Sequence, residues 1–308
     1  MRVTTDMNFR LLSTALQRQQ FNIQDYQQKI ASGKEVTKAS DDPGAFGMIR
    51  NLTAEKSQLV QYSRNVKLAL QYNESANQGM SKAIDLMHRI NELTVEAGDG
   101  TMEETSMKAL AEEVDAMLKS MISVANTSEG GRYTFAGLRT DTKPYETVLD
   151  PVDGRIVSVS YVGSEEIRTI KTGDTLEVPA NYPGSTSTSE GGIFQTATKD
   201  VFDAIIQLRD ALNTGVDVST SAIPANLQAQ LDHLLANTSL NGARKEQINM
   251  HKTLLLDLQT ANGEATDAFE AVDFASAMMK LTESENAYKA ALTSASRMLQ
   301  QVNLLDLI

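Results

Sequence analysis

The residue types that most often carry chemistry in proteins are few in this chain, and they are scattered. The three histidines, His88, His233 and His251, lie far apart, and no His-Glu-x-x-His motif, phosphate loop or nucleotide fingerprint occurs. The adjacent Asp41 and Asp42 could form an acid pair or a metal site, but an aspartate just before a proline also caps a helix. The cap explains this pair with fewer assumptions. We therefore expect no catalytic residues, no metal and no cofactor.

The other acidic pairs and the cysteine content point the same way. Glu103-Glu104 and Glu112-Glu113 are typical of a helix start and a solvated helix face, and Glu165-Glu166 of an exposed turn or strand. The chain has no cysteine, which excludes a disulfide scaffold, a thiolate metal site and a cysteine nucleophile.

The charge balance limits the partners. The 308 residues include 28 Lys plus Arg and 40 Asp plus Glu, a formal net charge of −12. Nucleic acids and anionic membranes are bound by basic surfaces, so neither is an expected partner. No stretch approaches the roughly 20 apolar residues of a membrane span. The N-terminus, MRVTTDMNFRLL, lacks the apolar segment of a secretory signal, so export without a cleaved signal is the expectation if the chain is secreted.

Proline divides the chain into helical ends and an irregular middle. Pro43 is alone among the first 143 residues, four prolines lie between 144 and 183, and only Pro224 follows. Because proline breaks helix interiors, long helices are predicted at both ends. The run 156–162 is rich in β-branched residues and predicts a strand. Further short strands are predicted at 167–170 and 175–178. The fold class is therefore mainly α, with a small β-rich domain inserted at 137–196.

The first helix carries an apolar seam whose spacing alternates between three and four residues, as in a coiled coil. Gly33 follows it in the position of a C-terminal cap, and Asp42 with Pro43 predicts the start of the next helix. This second helix is predicted from about 44 to 96, about 80 Å at 1.5 Å per residue. The N-terminal seam comprises Phe9, Leu12, Leu16, Ile23, Tyr26 and Ile30. The second helix repeats the spacing at Leu59, Tyr62, Val66, Ala69, Asn73, Ala76, Met80, Ala83, Met87 and Ile90.

The last helix has a seam of its own, so both ends of the chain are amphipathic. Gln19 in the first seam and Glu285 in the last are polar residues that lower stability but favour one register or partner. Such helices are marginal alone and become stable when packed. The pattern fits equally a chain that polymerises through its ends and a bundle whose ends pack on its own core. The C-terminal seam comprises Phe274, Met278, Leu281, Tyr288, Leu292, Leu299 and Val302.

Several segments resemble the flagellin family of bacteria. Residues 28–34 (QKIASGK) with 40–43 (SDDP) are similar to its N-terminal signature, and 89–95 (RINELTV) and 131–137 (GRYTFAG) continue the match. Near the other end, the similar segments are 241–244 (NGAR), 272–275 (VDFA) and 304–306 (LLD). Together these matches are specific, because they occur in order over roughly the first 140 and last 70 residues.

Within the family, three features favour the subunits that join hook to filament over filament flagellin. These are Asp-Asp-Pro at the turn, the MRVTTDMNFR start and the Leu-Leu-Asp-Leu-Ile ending. The resemblance implies inner helices at 1–45 and 275–308, a helical core domain at 46–136 and 197–274, and an outward β-rich domain at 137–196. It also implies unfolded export by the flagellar type III apparatus to an extracellular flagellum.

The partners implied by the resemblance are further copies of the chain, a hook-associated protein on the hook side, flagellin on the filament side, and an export chaperone at the C-terminal helix. A minor filament flagellin is the alternative. An enzyme in the inserted domain is disfavoured, because residues 137–197 contain no histidine. Arg89 and Leu93 match a stretch that immune receptors recognise in some flagellins, but His88 and Asn91 depart from it, so a plain helix surface is preferred.

Overall fold

The computed structural model describes residues 2–98, 102–189 and 191–305. They divide into two compact units. One combines the residues up to 59 with those from 257 onward, and the other comprises residues 60–256. The boundaries fall inside two long helices. Chain ends therefore belong to one unit and the middle of the chain to the other.

Six α-helices dominate the described residues, as the proline distribution predicted. Helix α1 ends just before Gly33, and α2 begins at Pro43, as expected for a C-terminal glycine and an N-terminal proline. Helix α3 begins at Glu104, and the residues immediately before 102 lie outside the described residues. The helices are α1 Arg2–Ser32, α2 Pro43–Ala97, α3 Glu104–Ala125, α4 Val201–Thr214, α5 Ile223–Glu270 and α6 Phe274–Leu305.

The strands form three separate antiparallel pairs in the middle of the chain. They are β1 Ser128–Glu129, β2 Arg132–Tyr133, β3 Tyr145–Leu149, β4 Ile156–Tyr161, β5 Thr169–Lys171 and β6 Glu177–Pro179. Each strand pairs with its neighbour in sequence: β1 with β2, β3 with β4, and β5 with β6. The predicted strands at 156–162, 167–170 and 175–178 correspond to β4, β5 and β6, while β1, β2 and β3 were not predicted. The mainly α fold with a small β-rich part is confirmed.

Helix α2 buries the seam that its sequence predicts. Every seam position from Val66 to Ile90 is buried in the 60–256 unit. The side chains are apolar except for Asn73, whose Nδ2 donates to Asn241 Oδ1 on α5 at 2.7 Å and to the Tyr182 hydroxyl at 2.9 Å. Asn241 Nδ2 returns a hydrogen bond to the Asn73 carbonyl oxygen at 3.2 Å. A buried polar pair of this kind favours one register of α2 against α5, since any slip leaves both amides unpaired.

The β-rich segment shares its core with the helices around it. Tyr145 of β3 lies 5.0 Å, ring centre to ring centre, from Phe202 of α4, and Phe194 lies 5.1 Å from Phe135 in an edge-to-face arrangement. All four rings are fully buried in one cluster with side chains of α2, α3 and α5. Residues 137–196 therefore lie in the same compact unit as α3 and α4. Their apolar side chains are buried against the helices as well as against one another, as in the Tyr145–Tyr161 ring pair at 5.2 Å.

Candidate functional site: the paired terminal helices

A glycine turn brings the two ends of the chain together. Gly33 has φ = +71°, a left-handed conformation that favours glycine, and its amide donates to the Lys29 carbonyl oxygen at 2.9 Å. A Cβ built at this position would lie 3.9 Å from the Phe274 ring, at the start of α6. The end of α1 and the beginning of α6 are thus neighbours.

Backbone hydrogen bonds join the segment after α1 to the segment before α6. The Glu35 amide donates to the Glu270 carbonyl oxygen at 2.8 Å, and the Val272 amide donates to the Gly33 carbonyl oxygen at 3.0 Å. Lys34 and Ala271 form an antiparallel bridge, and the Lys34 ammonium pairs with the Glu270 carboxylate. We call these paired segments, residues 33–35 and 270–272, the clamp. Since α1 ends at the clamp, α6 begins there and the two helices pack together, they run antiparallel.

Aspartates start the helices on both sides of the clamp. Asp42 Oδ1 accepts hydrogen bonds from the amides of Gly44 and Ala45, at 2.8 and 2.9 Å, at the start of α2. Asp273 Oδ1 accepts from the amides of Ala275 and Ser276, at 3.0 and 3.2 Å, at the start of α6. Both side chains satisfy amides that have no partner within their helix. The role of Asp273 was not predicted, although an aspartate one residue before an apolar helical pattern is the usual signal for it.

Asp41 accepts hydrogen bonds from the turn before it, whereas Asp42 caps the helix after it. Its Oδ2 accepts from the Thr37 amide and hydroxyl, both at 3.1 Å, and from the Lys38 amide at 3.0 Å. The hydrogen bond from the Thr37 amide is the largest of the influences that lower the pKa of Asp41. The two carboxylates thus hold two consecutive turns between α1 and α2. In the described part of the chain, no cluster of three or more His, Asp or Glu side chains could hold a metal ion.

The predicted N-terminal seam lies on the half-buried side of α1. The side chain of Phe9 lies outside the described residues. Lys29, near the end of the helix, donates to Glu35 Oε1 at 2.8 Å and lies 3.7 Å from Asp25. Burial alone would lower the pKa of Lys29, but these carboxylates outweigh it and raise the pKa. The half-buried seam residues are Leu12, Leu16, Ile23, Tyr26 and Ile30.

Helix α6 buries a face of small side chains within this unit. Ala277 and Ser284 are the most buried described residues of α6, at 4% and 8% exposure, and Leu281 and Tyr288 are half-buried beside them. Small residues let helix backbones approach closely, which explains why the face does not centre on the bulkiest side chains. Three predicted seam residues, Phe274, Met278 and Leu292, remain exposed. The side chains of Leu299 and Val302 lie outside the described residues.

The helix pair therefore keeps a second, exposed apolar surface. On α1 it includes Leu11 and Phe21, and on α6 it includes Phe274, Met278 and Met279, the last 68% exposed. Met278 and Met279 line an open cleft on α6 of about 520 Å³, together with Thr282, Glu283 and Asn286. Met278 and Met279 are adjacent, and an exposed apolar patch is typical of a protein interaction site, because soluble monomers rarely expose large ones.

The histidines have structural partners in the 60–256 unit. His233 Nε2 lies 2.9 Å from the Gly192 carbonyl oxygen, and His251 Nδ1 lies 2.9 Å from the Thr172 hydroxyl. Burial lowers the pKa of His233 and is only partly opposed by the hydrogen bond to Gly192. His88 is exposed on α2. Each buried histidine fastens a loop or hairpin to α5.

Among the described helices, none is both long enough and apolar enough to span a bilayer.

A comparison with family models matches residues 3–140 to the bacterial flagellin N-terminal helical region. This range holds α1, the Asp41-Asp42 turn, α2 and α3. The match covers a little less than half of the 308-residue chain and shows its similarity to this region of bacterial flagellin. The match covers the first helix of the terminal pair and the long helix that follows the clamp, as the motifs in the sequence indicated.

Two curated relatives narrow the comparison. The chain is 28% identical over 146 residues to the flagellar hook-associated protein 3 of Escherichia coli, covering 47% of this chain and 46% of the relative. It is 27% identical over 176 residues to the flagellar hook-associated protein 3 of Salmonella typhimurium, covering 57% and 55%. The matched region thus spans about half the length of these relatives.

A solved structure shows the same fold. The flagellar hook-associated protein 3 of Legionella pneumophila superposes with a TM-score of 0.60 at 15% identity, covering 71% of this chain and 98% of that one. At this identity, the likeness concerns the fold alone.

Proposed function

We propose that this protein is a structural subunit of the bacterial flagellum at the junction between hook and filament, and not an enzyme. The observation that carries the proposal is the antiparallel pair of α1 and α6, which still exposes apolar side chains after the two helices have packed. Its relatives named hook-associated protein 3 support the choice of junction over other positions in the flagellum.

The exposed surface of the pair is where further copies of the chain pack. Burying the exposed two-thirds of a methionine such as Met279 stabilises a contact by about 1–2 kcal/mol. Repeated along two helices of about 30 residues each, such contacts would order the terminal helices into an inner tube. Of the predicted seam residues, Phe274, Met278 and Leu292 belong to this exposed surface, while the half-buried residues of both seams pack α1 and α6 together. The capped turns at Gly33, Asp41, Asp42 and Pro43 hold the two helices in place.

A position between hook and filament implies two further partners in the flagellum. One end of the assembled ring faces a neighbouring hook-associated protein, and the other faces flagellin. Before export through the type III apparatus, the exposed apolar face of α6 needs a cover in the cytoplasm, and an export chaperone at this helix supplies it. After export, the protein is extracellular.

Two exposed methionines provide a matched test. Met279 lies on α6 and Met250 on α5, with 68% and 64% exposure. Replacing Met279 by Ser removes an exposed side chain from the proposed assembly surface, and replacing Met250 by Ser removes one from outside the terminal pair. Neither change is expected to shift the monomer's urea midpoint, since exposed positions contribute within about 0.5 kcal/mol.

The assay is complementation of bacteria that lack their junction subunit, scored by swimming and by electron microscopy of attached filaments. Met279→Ser should lose roughly tenfold in association per contact and leave few filaments attached. Met250→Ser should restore swimming. Full swimming with Met279→Ser, or with a chain lacking residues 280–308, would contradict assembly through this helix.

A minor filament flagellin is the second candidate, because the matched family model describes a region of flagellin itself. The same terminal pair would then polymerise without a limit on length. Purified chain added to filament seeds separates the two functions. Long filaments would favour the flagellin, and short caps that accept flagellin would favour the junction subunit.

A further inference from the structure

The 60–256 unit contains a cleft with an unusual lining, which we call the Tyr72 cleft. It consists of two adjoining cavities of about 210 and 50 Å³ that share Tyr72, Arg132, Tyr133 and Thr134 as walls. Leu68 lines the larger cavity, and Arg168 lines the smaller one. An aromatic and aliphatic wall with arginines at its side suits an apolar side chain that carries negative charge next to it.

The arginines of the cleft are available for such a ligand. Arg132 Nη1 donates to the Tyr72 hydroxyl at 3.3 Å, and within the described residues neither Arg132 nor Arg168 forms an ion pair. Glu129 also lines the larger cavity, where its carboxylate accepts a hydrogen bond from Gln71 Nε2 at 3.3 Å. The cleft therefore carries two positive charges against one negative charge, in a chain whose net charge is −12.

The β3–β4 hairpin has the complementary features at its tip. Val152 is 92% exposed there, between Asp150 and Asp153. Arg155 Nε lies 3.8 Å from Asp153 Oδ2, so these three charged residues together leave one net negative charge at the tip. Asp150 Oδ1 accepts from the Val152 amide at 2.7 Å, and the Asp150 amide donates to the Arg155 carbonyl oxygen at 2.7 Å, so the tip has a defined shape. Val148, Leu149 and Val157 are exposed on the same hairpin. A two-stranded hairpin with exposed apolar side chains and free edges is a site for association.

We propose that the tip of the β3–β4 hairpin of one copy docks into the Tyr72 cleft of a second copy. Val152 enters between the two tyrosines, and Asp150 and Asp153 pair with the two arginines. Because tip and cleft are different surfaces, the contact is heterologous and can continue from copy to copy. It is separate from the terminal helices and adds a contact between copies at the level of the 60–256 unit.

The absence of cysteine from the sequence allows a direct test in the full chain. One preparation carries Val152→Cys and a second carries Leu68→Cys, and the two are mixed in concentrated solution under mild oxidation. Docking holds the two thiols together, so the mixed disulfide should form at least about tenfold faster than between Val152→Cys and a control chain. The control is Ala109→Cys, an exposed position on α3. Equal rates for the two mixtures would overturn the proposal.

A charge exchange tests the ionic part of the same contact. Arg132→Glu together with Arg168→Glu in the Leu68→Cys chain should slow coupling to the control rate, since like charges then face each other. Asp150→Lys and Asp153→Lys in the Val152→Cys chain should restore it. Restored disulfide formation would show that the slower rate came from lost charge pairing and not from misfolding. A rate of disulfide formation that neither change alters would overturn the assignment. The assay uses neither hook nor filament, so a failure of the proposed flagellar role would leave its result unchanged.

Discussion

A buried arginine offers a sharp test of how the β-rich segment is held to the helices. Arg209 of α4 has a side chain that is only 3% exposed. Its Nη1 donates to the Ile156 carbonyl oxygen of β4 at 2.7 Å and to Asp115 Oδ1 of α3 at 3.2 Å. Its Nη2 pairs with Asp210 at 2.7 Å. One guanidinium therefore joins α3, α4 and β4.

The perturbation is Arg209→Met, which keeps much of the volume and removes the donors. Breaking a buried ion pair from one side costs about 3–5 kcal/mol, because it leaves the partner uncompensated. Here Asp115 keeps a second partner, Lys119, at 2.7 Å, and Asp210 is more than half exposed. We therefore expect a loss of about 2–3 kcal/mol in the free energy of unfolding of the 60–256 unit.

Urea unfolding followed by circular dichroism measures this loss, with Arg155→Met as the matched control. Arg155 pairs with Glu112 at 3.1 Å, but both side chains are exposed, so its removal should cost no more than about 0.5 kcal/mol. Equal midpoints for the two variants would refute the reasoning that burial makes the Arg209 contacts strong.

The pH dependence supplies a second readout. Burial raises the pKa of Asp115, but the hydrogen bonds from Lys119 and Arg209 outweigh it, and the net pKa is lowered. A lowered pKa in the folded state contributes stability above the unfolded value, near pH 4, that is lost as the pH falls through the folded pKa. The difference in the free energy of unfolding between the natural chain and Arg209→Met should therefore become smaller below about pH 4. A constant difference would mean that the ion pair contributes little.

Three further changes test single features. Gly137→Ala places a Cβ 1.8 Å from the Ser164 carbonyl oxygen at φ = +64°, so the free energy of unfolding measured in urea should fall by well over about 1 kcal/mol. The control Gly130→Ala has a similar φ of +57° but no atom near its Cβ, so it should lose only about 1 kcal/mol. Asp42→Ala should lose about 1 kcal/mol of helix stability and Asp42→Asn should lose little, since Asn caps as well; equal thermal midpoints for both would contradict the cap. Burial lowers the pKa of His233, so its contribution to stability is present above about pH 6.5 and declines as the pH falls toward the folded pKa. His233→Gln should remove this decrease in the free energy of unfolding below about pH 6.5. An unchanged pH dependence would mean that another group causes it.

The seam of α2 shows what periodicity alone can determine. Its 3/4 spacing predicted both the helix and the buried face from Val66 to Ile90, including the polar Asn73. The end of α1 and the start of α2 were also predictable, since Gly33 and Pro43 are local signals that act through backbone geometry. Properties that depend on neighbours in sequence can be derived from sequence.

Helix α5 and strand β3 show where this approach fails. No local signal predicted the 48-residue length of α5, Ile223–Glu270. From Asn241 onward the helix buries polar residues, Asn241, His251 and Asn262, at positions where an apolar pattern would be expected. Their partners lie far away in sequence, so the stability of this helix comes from tertiary packing that no local pattern reveals. Strand β3 was missed for the same reason, because its pairing with β4 stabilises it.

The candidate assembly surface divides in the same way. Sequence alone predicted two amphipathic terminal helices, their seam residues, the glycine turn and the aspartates between α1 and α2. Only the tertiary structure decided which face of α6 is buried and which remains exposed. Spacing identifies an apolar stripe, but it does not say whether a large side chain or a small one allows the closer approach. Ala277 and Ser284 are buried while Phe274 and Met278 stay exposed, because packing depends on the shapes of both helices at once.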